Sequence, residues 1–250
     1  MERIESARNE RLSRARRLLS GRRARASLGL FVTEGEDLLQ AALEAGVDPV
    51  DVLIDEAAPP VALDLERLGR RVALAPRELL AGIGTLGHAA RVFATFRVHD
   101  LPPPPSGPAA VALELHGVGD PGNVGALVRS VGAFGPGVVW LGPGSADPLG
   151  PKALRASMGA VFAVPIGAAE EGRARPSRRV ALDGRGEPLQ YASLDGPLTF
   201  LLGAERDGLP ADVLAGADVV CRIPQEAAVD SLNVAMAGTV ALWEARRRRL

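Results

Sequence analysis

Four consecutive prolines, Pro102 to Pro105, stand inside the stretch HDLPPPPSGP at residues 99–108. Proline fixes φ and removes the backbone N–H, so neither a helix nor a central strand can run through this stretch, and it reads as an extended linker. The chain therefore divides into residues 1–98 and 109–250. The second part alternates short apolar runs, AVALELH, GVVWLG, VALDG, LTFLLG and VVCRIP, with helical stretches. Apolar strands that lack polar alternation are buried on both faces, as in a parallel sheet covered by helices. The expected fold class is α/β, with a C-terminal parallel-sheet domain. The first part opens on an arginine-rich helix and continues through strand GLFVTEG, helix EDLLQAALEAG and strands VDVLID, RVALA and RVFATFRV, which predicts a small α/β domain.

Composition narrows the partners. No run of eighteen apolar residues occurs, and the N-terminus is charged with no apolar core, so neither a membrane span nor a secretory signal is expected and the location expected is cytoplasmic. One cysteine, Cys221, excludes an internal disulfide; His88, His99 and His116 lack partners at ligand spacing, so no metal is expected. A net charge of -1 hides an asymmetry, because residues 1–29 hold nine arginines against three glutamates and the chain ends RRRRL. Clustered arginine is the footprint of phosphate-backbone binding, with Arg14, Arg17, Arg22 and Arg23 as candidates; a solvated helix face gives the same pattern.

In open parallel sheets, ligands bind beyond the carboxyl ends of the strands, so the loops there carry the chemistry. The first reads GVGDPGNVGALVRS and holds Gly117, Gly119 and Gly122 at dinucleotide spacing. The next strand offers no acid for a ribose hydroxyl before Asp147, and Pro121 lacks an N–H for a pyrophosphate, which disfavours a nicotinamide or flavin. Asn123 and Arg129 lie about 240° apart on a helix, so they cannot share a face. Asn123 then belongs to the loop or the first turn, as an Asx cap or a ligand contact. The second loop brings Lys152 and Arg155, suited to phosphates or to water. The third, AERDGLPADVLAGA, sets Glu205 past a strand end with Gly208 free to take positive φ. The fourth, VDSLNVAMAG, opens a helix whose apolar stripe is Leu232, Ala235, Met236, Thr239, Val240 and Trp243, with Ser231 expected as its cap. Asn233 has no place in that stripe and can face a ligand together with the free N–H groups of the first turn.

Four segments in this order, DPGNVGALVRS, DPLGPKALRASMGAVFAVPI, LLGAERDGLP and RIPQEAAVDSLNVAMA, resemble the SpoU class of S-adenosylmethionine-dependent RNA ribose 2′-O-methyltransferases in the knotted methyltransferase superfamily, and span most of residues 112–245. The stretch RNERLSRARRLLSGRRARASLGLFVTEGEDLLQAALEAGV is similar to that family's accessory substrate-binding domain, which resembles ribosomal protein L30e. One departure is QEAAV at residues 225–229, which lacks the glycines common there. The resemblance implies a deep trefoil knot in the C-terminal domain, a homodimer with its active site near the subunit interface, and S-adenosylmethionine held largely by backbone at Leu202, Gly203, Ile223 and Leu232. It implies functional side chains at Asn123, Arg129, Glu205, Ser231 and Asn233, and an RNA surface that includes Lys152 and Arg155. Ribosomal RNA is the expected substrate, with transfer RNA, or a non-catalytic RNA-binding module, as the alternatives. A guanidinium is a poor proton acceptor, so Arg129 is expected to stabilise the developing alkoxide or clamp the adjacent phosphate.

Overall fold

The structure, a computed structural model, describes residues 2–57, 68–85, 90–173, 177–226 and 231–250. His88, Val229 and Asp230 therefore lie outside the described residues. In chain order the first part gives β1 (Glu2–Arg3), α1 (Glu10–Ser20), α2 (Arg22–Leu28), β2 (Leu30–Glu34), α3 (Glu36–Glu44), β3 (Asp51–Asp55), β4 (Val72–Ala75), α4 (Arg77–Ala81) and β5 (Val92–Arg97). There follow β6 (Val111–Leu115), α5 (Pro121–Phe134), β7 (Gly137–Leu141), α6 (Pro151–Ser157), β8 (Ile166–Ala168), α7 (Ala169–Arg173), β9 (Arg178–Pro188), β10 (Leu198–Leu202), α8 (Ala211–Ala215), β11 (Val219–Arg222) and α9 (Val234–Arg247).

Two compact units result: Met1–Leu101 with Leu149–Phe162, and Pro102–Pro148 with Ala163–Leu250. The first is built on a mixed sheet of order β1-β4-β3-β5-β2, in which β5 runs antiparallel to both its neighbours. Asn9 starts α1 by accepting the Arg11 N–H at 2.9 Å, and Leu12, Ala15, Leu18 and Leu19 recur at helical spacing to face the core beside Leu53 and Phe93. Buried Arg25 donates to the carbonyls of Leu18 and Leu19, satisfying the free C-terminal end of α1. Phe31 and Phe96 stack at 5.6 Å, and Phe162 closes on Phe96 at 5.0 Å. That aromatic contact explains why residues 149–162 pack with the first unit although they follow the linker in sequence.

The second unit holds a six-stranded sheet of order β11-β9-β10-β6-β7-β8 whose pairings are all parallel. β6 and β10 are buried along their whole length and β7 from Val138 to Trp140, as their apolar runs require, whereas β8, β9 and β11 are only partly buried. Side chains alternate along each strand, so Leu113 and Leu202 face α5 and α9 while Ala112 and Leu201 face the helices α7 and α8. A Cβ on Gly238 would stand 2.4 Å from Leu127 Cδ2, so the glycine lets α9 lie close against α5.

The structure corrects one helix. α9 begins at Val234, and its buried face is Val234, Ala235, Gly238, Ala241, Leu242 and Ala245. Of the stripe expected to face the core, Met236, Val240 and Trp243 are exposed at 59%, 39% and 47%. The helix carries two apolar faces, and the one made of small residues packs on the sheet because it permits the closer approach.

Candidate active site

β10 and β11 end on a cavity of about 240 Å³ that the middle of β9 also lines, formed by Leu182, Leu202, Ile223, Leu232 and Val234 with Gly203, Glu205, Arg222, Gln225 and Ser231 around them. All four residues expected to hold a cofactor, Leu202, Gly203, Ile223 and Leu232, are in this wall. The turn after β10 is tight. Ala204 and Gly208 exchange backbone hydrogen bonds of 3.0 Å in both directions, Gly208 takes φ of 68°, and a Cβ on Gly203 would fall 2.2 Å from the Gly208 carbonyl carbon. Only glycine at both positions folds the loop back so that Glu205 stands at the cavity edge.

Three of the expected side chains meet there. Asp120, rather than Asn123, caps α5 by accepting the Asn123 N–H at 3.1 Å, with Pro121 in the first turn. The Asn123 side chain is thereby free to bridge. Asn233, rather than Ser231, caps α9: its Oδ1 accepts from the backbone N–H of Ala235 at 2.9 Å and of Met236 at 3.3 Å. That duty leaves the Asn233 amide nitrogen as a donor, and it donates to Asn123 Oδ1 at 3.1 Å. Asn123 Nδ2 must then donate in turn, and it does so to Glu205 Oε1 at 2.6 Å. The helix cap thus fixes the polarity of the whole Asn233–Asn123–Glu205 chain and holds one carboxylate oxygen as an acceptor at the cavity edge.

Arg129 is not part of this cluster. It is exposed, two turns along α5, or about 9 Å of rise from Asn123. α5 and α9 run side by side in the same direction, since Asn123 meets Asn233, Ser130 Oγ meets Thr239 Oγ1 at 2.6 Å, and Phe134 meets Trp243 at 5.8 Å. At about 100° per residue, Arg129 turns to the same outward side of that pair as Met236, Val240 and Trp243.

The basic candidates belong to the first unit. Arg14 is engaged: it bonds to buried Asp51 at 2.9 Å, which also pairs with Arg11 at 3.1 Å. Burial raises the Asp51 pKa in spite of both arginines. Arg17, Arg22 and Arg23 are exposed at the end of α1 and the start of α2, and Lys152 and Arg155 are exposed on α6.

Other groups in and beneath the cavity carry no role in the sequence alone. Asp183 lies in the cavity wall, and its carboxylate accepts from the Arg185 side chain at 2.8 and 3.0 Å and from the Arg185 backbone N–H at 3.0 Å. The Arg185 hydrogen bonds hold its pKa below the usual carboxylate value. VALDG places an acid directly after an apolar run, which is the signal that could have found it. Cys221, also in the wall, is pushed up to about 11 by burial, with Glu187 adding to the effect, so its thiol stays protonated. Beneath the loop that leads to α5, Glu114 is fully buried between His116 Nε2 at 2.9 Å and Arg179 Nη1 at 3.0 Å. Burial alone would raise its pKa, but the hydrogen bonds from His116 and Arg179 outweigh it and bring Glu114 down to about 2.

The SpoU rRNA Methylase family model matches residues 110–243. The chain is 28% identical to the 23S rRNA (guanosine(2553)-2'-O)-methyltransferase RlmP of Bacillus subtilis over 98% of its own length and 100% of that protein. It is 34% identical to the 23S rRNA (guanosine-2'-O-)-methyltransferase RlmB of Xylella fastidiosa strain 9a5c, over 75% of this chain and 83% of the other. Among solved structures, an AdoMet-bound rRNA methyltransferase from Sinorhizobium meliloti superposes with a TM-score of 0.86 at 26% identity, covering 100% of this chain and 98% of that one. With the family model matching more than half of its residues, including every residue that lines the cavity, the chain belongs to the SpoU rRNA methylase family.

Proposed function

We propose that the protein transfers a methyl group from S-adenosylmethionine to the 2′-hydroxyl of a ribose in ribosomal RNA. The observation that carries this is a partly apolar cavity at the carboxyl ends of β10 and β11 and beside the middle of β9, whose lining residue Glu205 ends the hydrogen-bonded chain Asn233–Asn123–Glu205. The wall suits an adenine ring, and the polar edge suits the charged end of the same molecule, so the residues present fit this donor. Leu202, Gly203, Ile223 and Leu232 would hold it, and when bound it supplies an already activated methyl group on a sulfonium. Relatives named as 23S rRNA 2'-O-methyltransferases support the substrate class.

Because the donor is activated, the chain's own task is to position the acceptor ribose and stabilise charge on its oxygen. Glu205 is held as an acceptor by Asn123, and Asn233 fixes that orientation through its cap. A guanidinium is a poor proton acceptor, so Arg129 stabilises the developing alkoxide or grips the adjacent phosphate, while the hydroxyl proton passes to water or to a substrate phosphate. Its distance from the Asn–Glu chain within one protomer, and its place beside an exposed apolar stripe on α9, support a homodimer in which Met236, Val240 and Trp243 pack against a second copy and Arg129 lies at that interface. A knotted C-terminal unit and an L30e-like first unit that presents Arg17, Arg22, Arg23, Lys152 and Arg155 to RNA complete the reading.

Nucleoside mapping of ribosomal RNA from the source cell, with the gene deleted and restored, tests the proposal. A 2′-O-methylnucleoside that disappears on deletion and returns on restoration is the expected result. An unchanged map of ribosomal RNA beside a lost methyl group in transfer RNA would overturn the substrate class.

A further inference from the structure

The long strand β9 does not pair continuously with β11. Ala181 pairs with Val220, yet the next residue of β11, Cys221, pairs with Glu187, so residues 182–186 leave the ladder between two adjacent partners. Bulges of this kind occur beside active sites, where they re-aim a side chain. This one is pinned at its return: Arg222 Nη1 donates to the Gly186 carbonyl at 2.5 Å, and a Cβ on Gly186 would stand 2.4 Å from the Val220 backbone. The excursion delivers Asp183 and Gly184 into the wall of the cavity.

Two carboxylates border that cavity, and Glu205 is already bonded to Asn123. Asp183 accepts three hydrogen bonds from Arg185, two on Oδ1 and one on Oδ2, which leaves a lone pair on Oδ2. Arg185 is 79% exposed, so this ion pair is weakly held and free to yield to a ligand.

We propose that Asp183 recognises the ribose hydroxyls of the methyl donor, with the bulge at residues 182–186 as the device that brings its carboxylate there. The proposal rests on the donor site assigned above. The strand order decides which part of the donor Asp183 meets. Asn123 follows β6, two strands and about 10 Å from β9. The reactive sulfonium belongs at the Asn–Glu chain, so the nucleoside extends toward β9 and β11, where Leu182 and Ile223 offer apolar surface beside Arg222 and Gln225, and Asp183 is the carboxylate among the lining residues on that side. A carboxylate accepts from a hydroxyl without a proton of its own, the same chemistry by which strand-end acids hold ribose in other parallel-sheet proteins.

The test is calorimetric binding of S-adenosylhomocysteine and of its 2′,3′-dideoxyribose analogue to the full-length protein, the Asp183→Asn variant and the Arg185→Ala variant. The wild type should prefer S-adenosylhomocysteine by about tenfold or more, the size of a hydrogen bond to a charged acceptor. Asp183→Asn should lose most of that preference by weakening S-adenosylhomocysteine alone, leaving the analogue within about twofold. Arg185→Ala should keep the preference. Equal weakening of both ligands by Asp183→Asn, no weakening of either, or loss of the preference in Arg185→Ala would overturn the role of Asp183. A wild type that binds S-adenosylhomocysteine but shows no preference would overturn it as well, whereas a wild type that binds neither ligand would overturn the donor site itself.

Discussion

Asn233 serves two purposes that a single substitution can separate. Its Oδ1 caps α9 and its Nδ2 orients Asn123 toward Glu205. Asn233→Asp keeps a capping oxygen but removes the donor, so it should hold the unfolding free energy within about 0.5 kcal/mol while methyl transfer falls at least about tenfold. Asn233→Ala should lose activity and also about 1 kcal/mol of stability; urea melts and single-turnover rates on both variants check the pair. Arg129→Ala should lower the single-turnover rate by roughly 100-fold or more with little change in donor affinity. Loss of donor affinity at an unchanged rate would contradict that assignment. Glu114 gives a prediction in pH. Its folded pKa of about 2 lies below its ordinary value of 4.5, so its contribution is fully present above pH 4.5 and is lost as pH falls toward 2. That contribution is on the order of 3 kcal/mol. Glu114→Gln should therefore destabilise the protein at pH 7 and flatten the acid limb of its stability profile, measured by urea unfolding between pH 3 and pH 7.

At the scale of elements, α9 shows where sequence reasoning succeeds and where it cannot. The helix, its polar opening and its terminal arginines are legible in VDSLNVAMAG and the residues after it. Its buried face is not, because an apolar stripe of Met236, Val240 and Trp243 has the same periodicity whether it meets a core or a partner, and the small residues that do pack on the sheet carry little hydrophobic signal. If that stripe is a subunit interface, Val240→Asp or Trp243→Glu should give a folded monomer, seen by sedimentation velocity as a halved mass with unchanged circular dichroism. A monomeric wild type would contradict the interface. The turn after β10 behaves differently, since a Cβ on Gly203 has no space against Gly208. Gly203→Ala should abolish detectable donor binding by calorimetry, and an unchanged affinity would show that the turn can shift without cost to the site.

Across the whole molecule, the α/β class and nine of the strands follow from short apolar runs and from the prolines that separate them, while the short edge strands β1 and β8 carry no such run and were not legible. The return of residues 149–162 to the first unit does not, because it depends on Phe162 meeting Phe31 and Phe96, a contact between residues far apart in sequence. The same holds for the site. Asn123, Glu205 and Asn233 were legible as polar residues at strand ends and helix starts, and their order in the chain resembles one family. Their mutual hydrogen bonds, the distance of Arg129 from them and the excursion that carries Asp183 arise only once strands β6, β9 and β10 are set side by side. The central claim is ribose methylation of RNA by this cavity. Its most direct test is transfer of tritiated methyl from S-adenosylmethionine to purified ribosomal RNA, followed by nuclease digestion and identification of the labelled nucleoside. A 2′-O-methylnucleoside, formed roughly 100-fold more slowly or slower still when Arg129→Ala replaces the wild type, is the predicted result; label on a base, or none from protein that binds the donor and is offered both mature and precursor ribosomal RNA, would contradict the account.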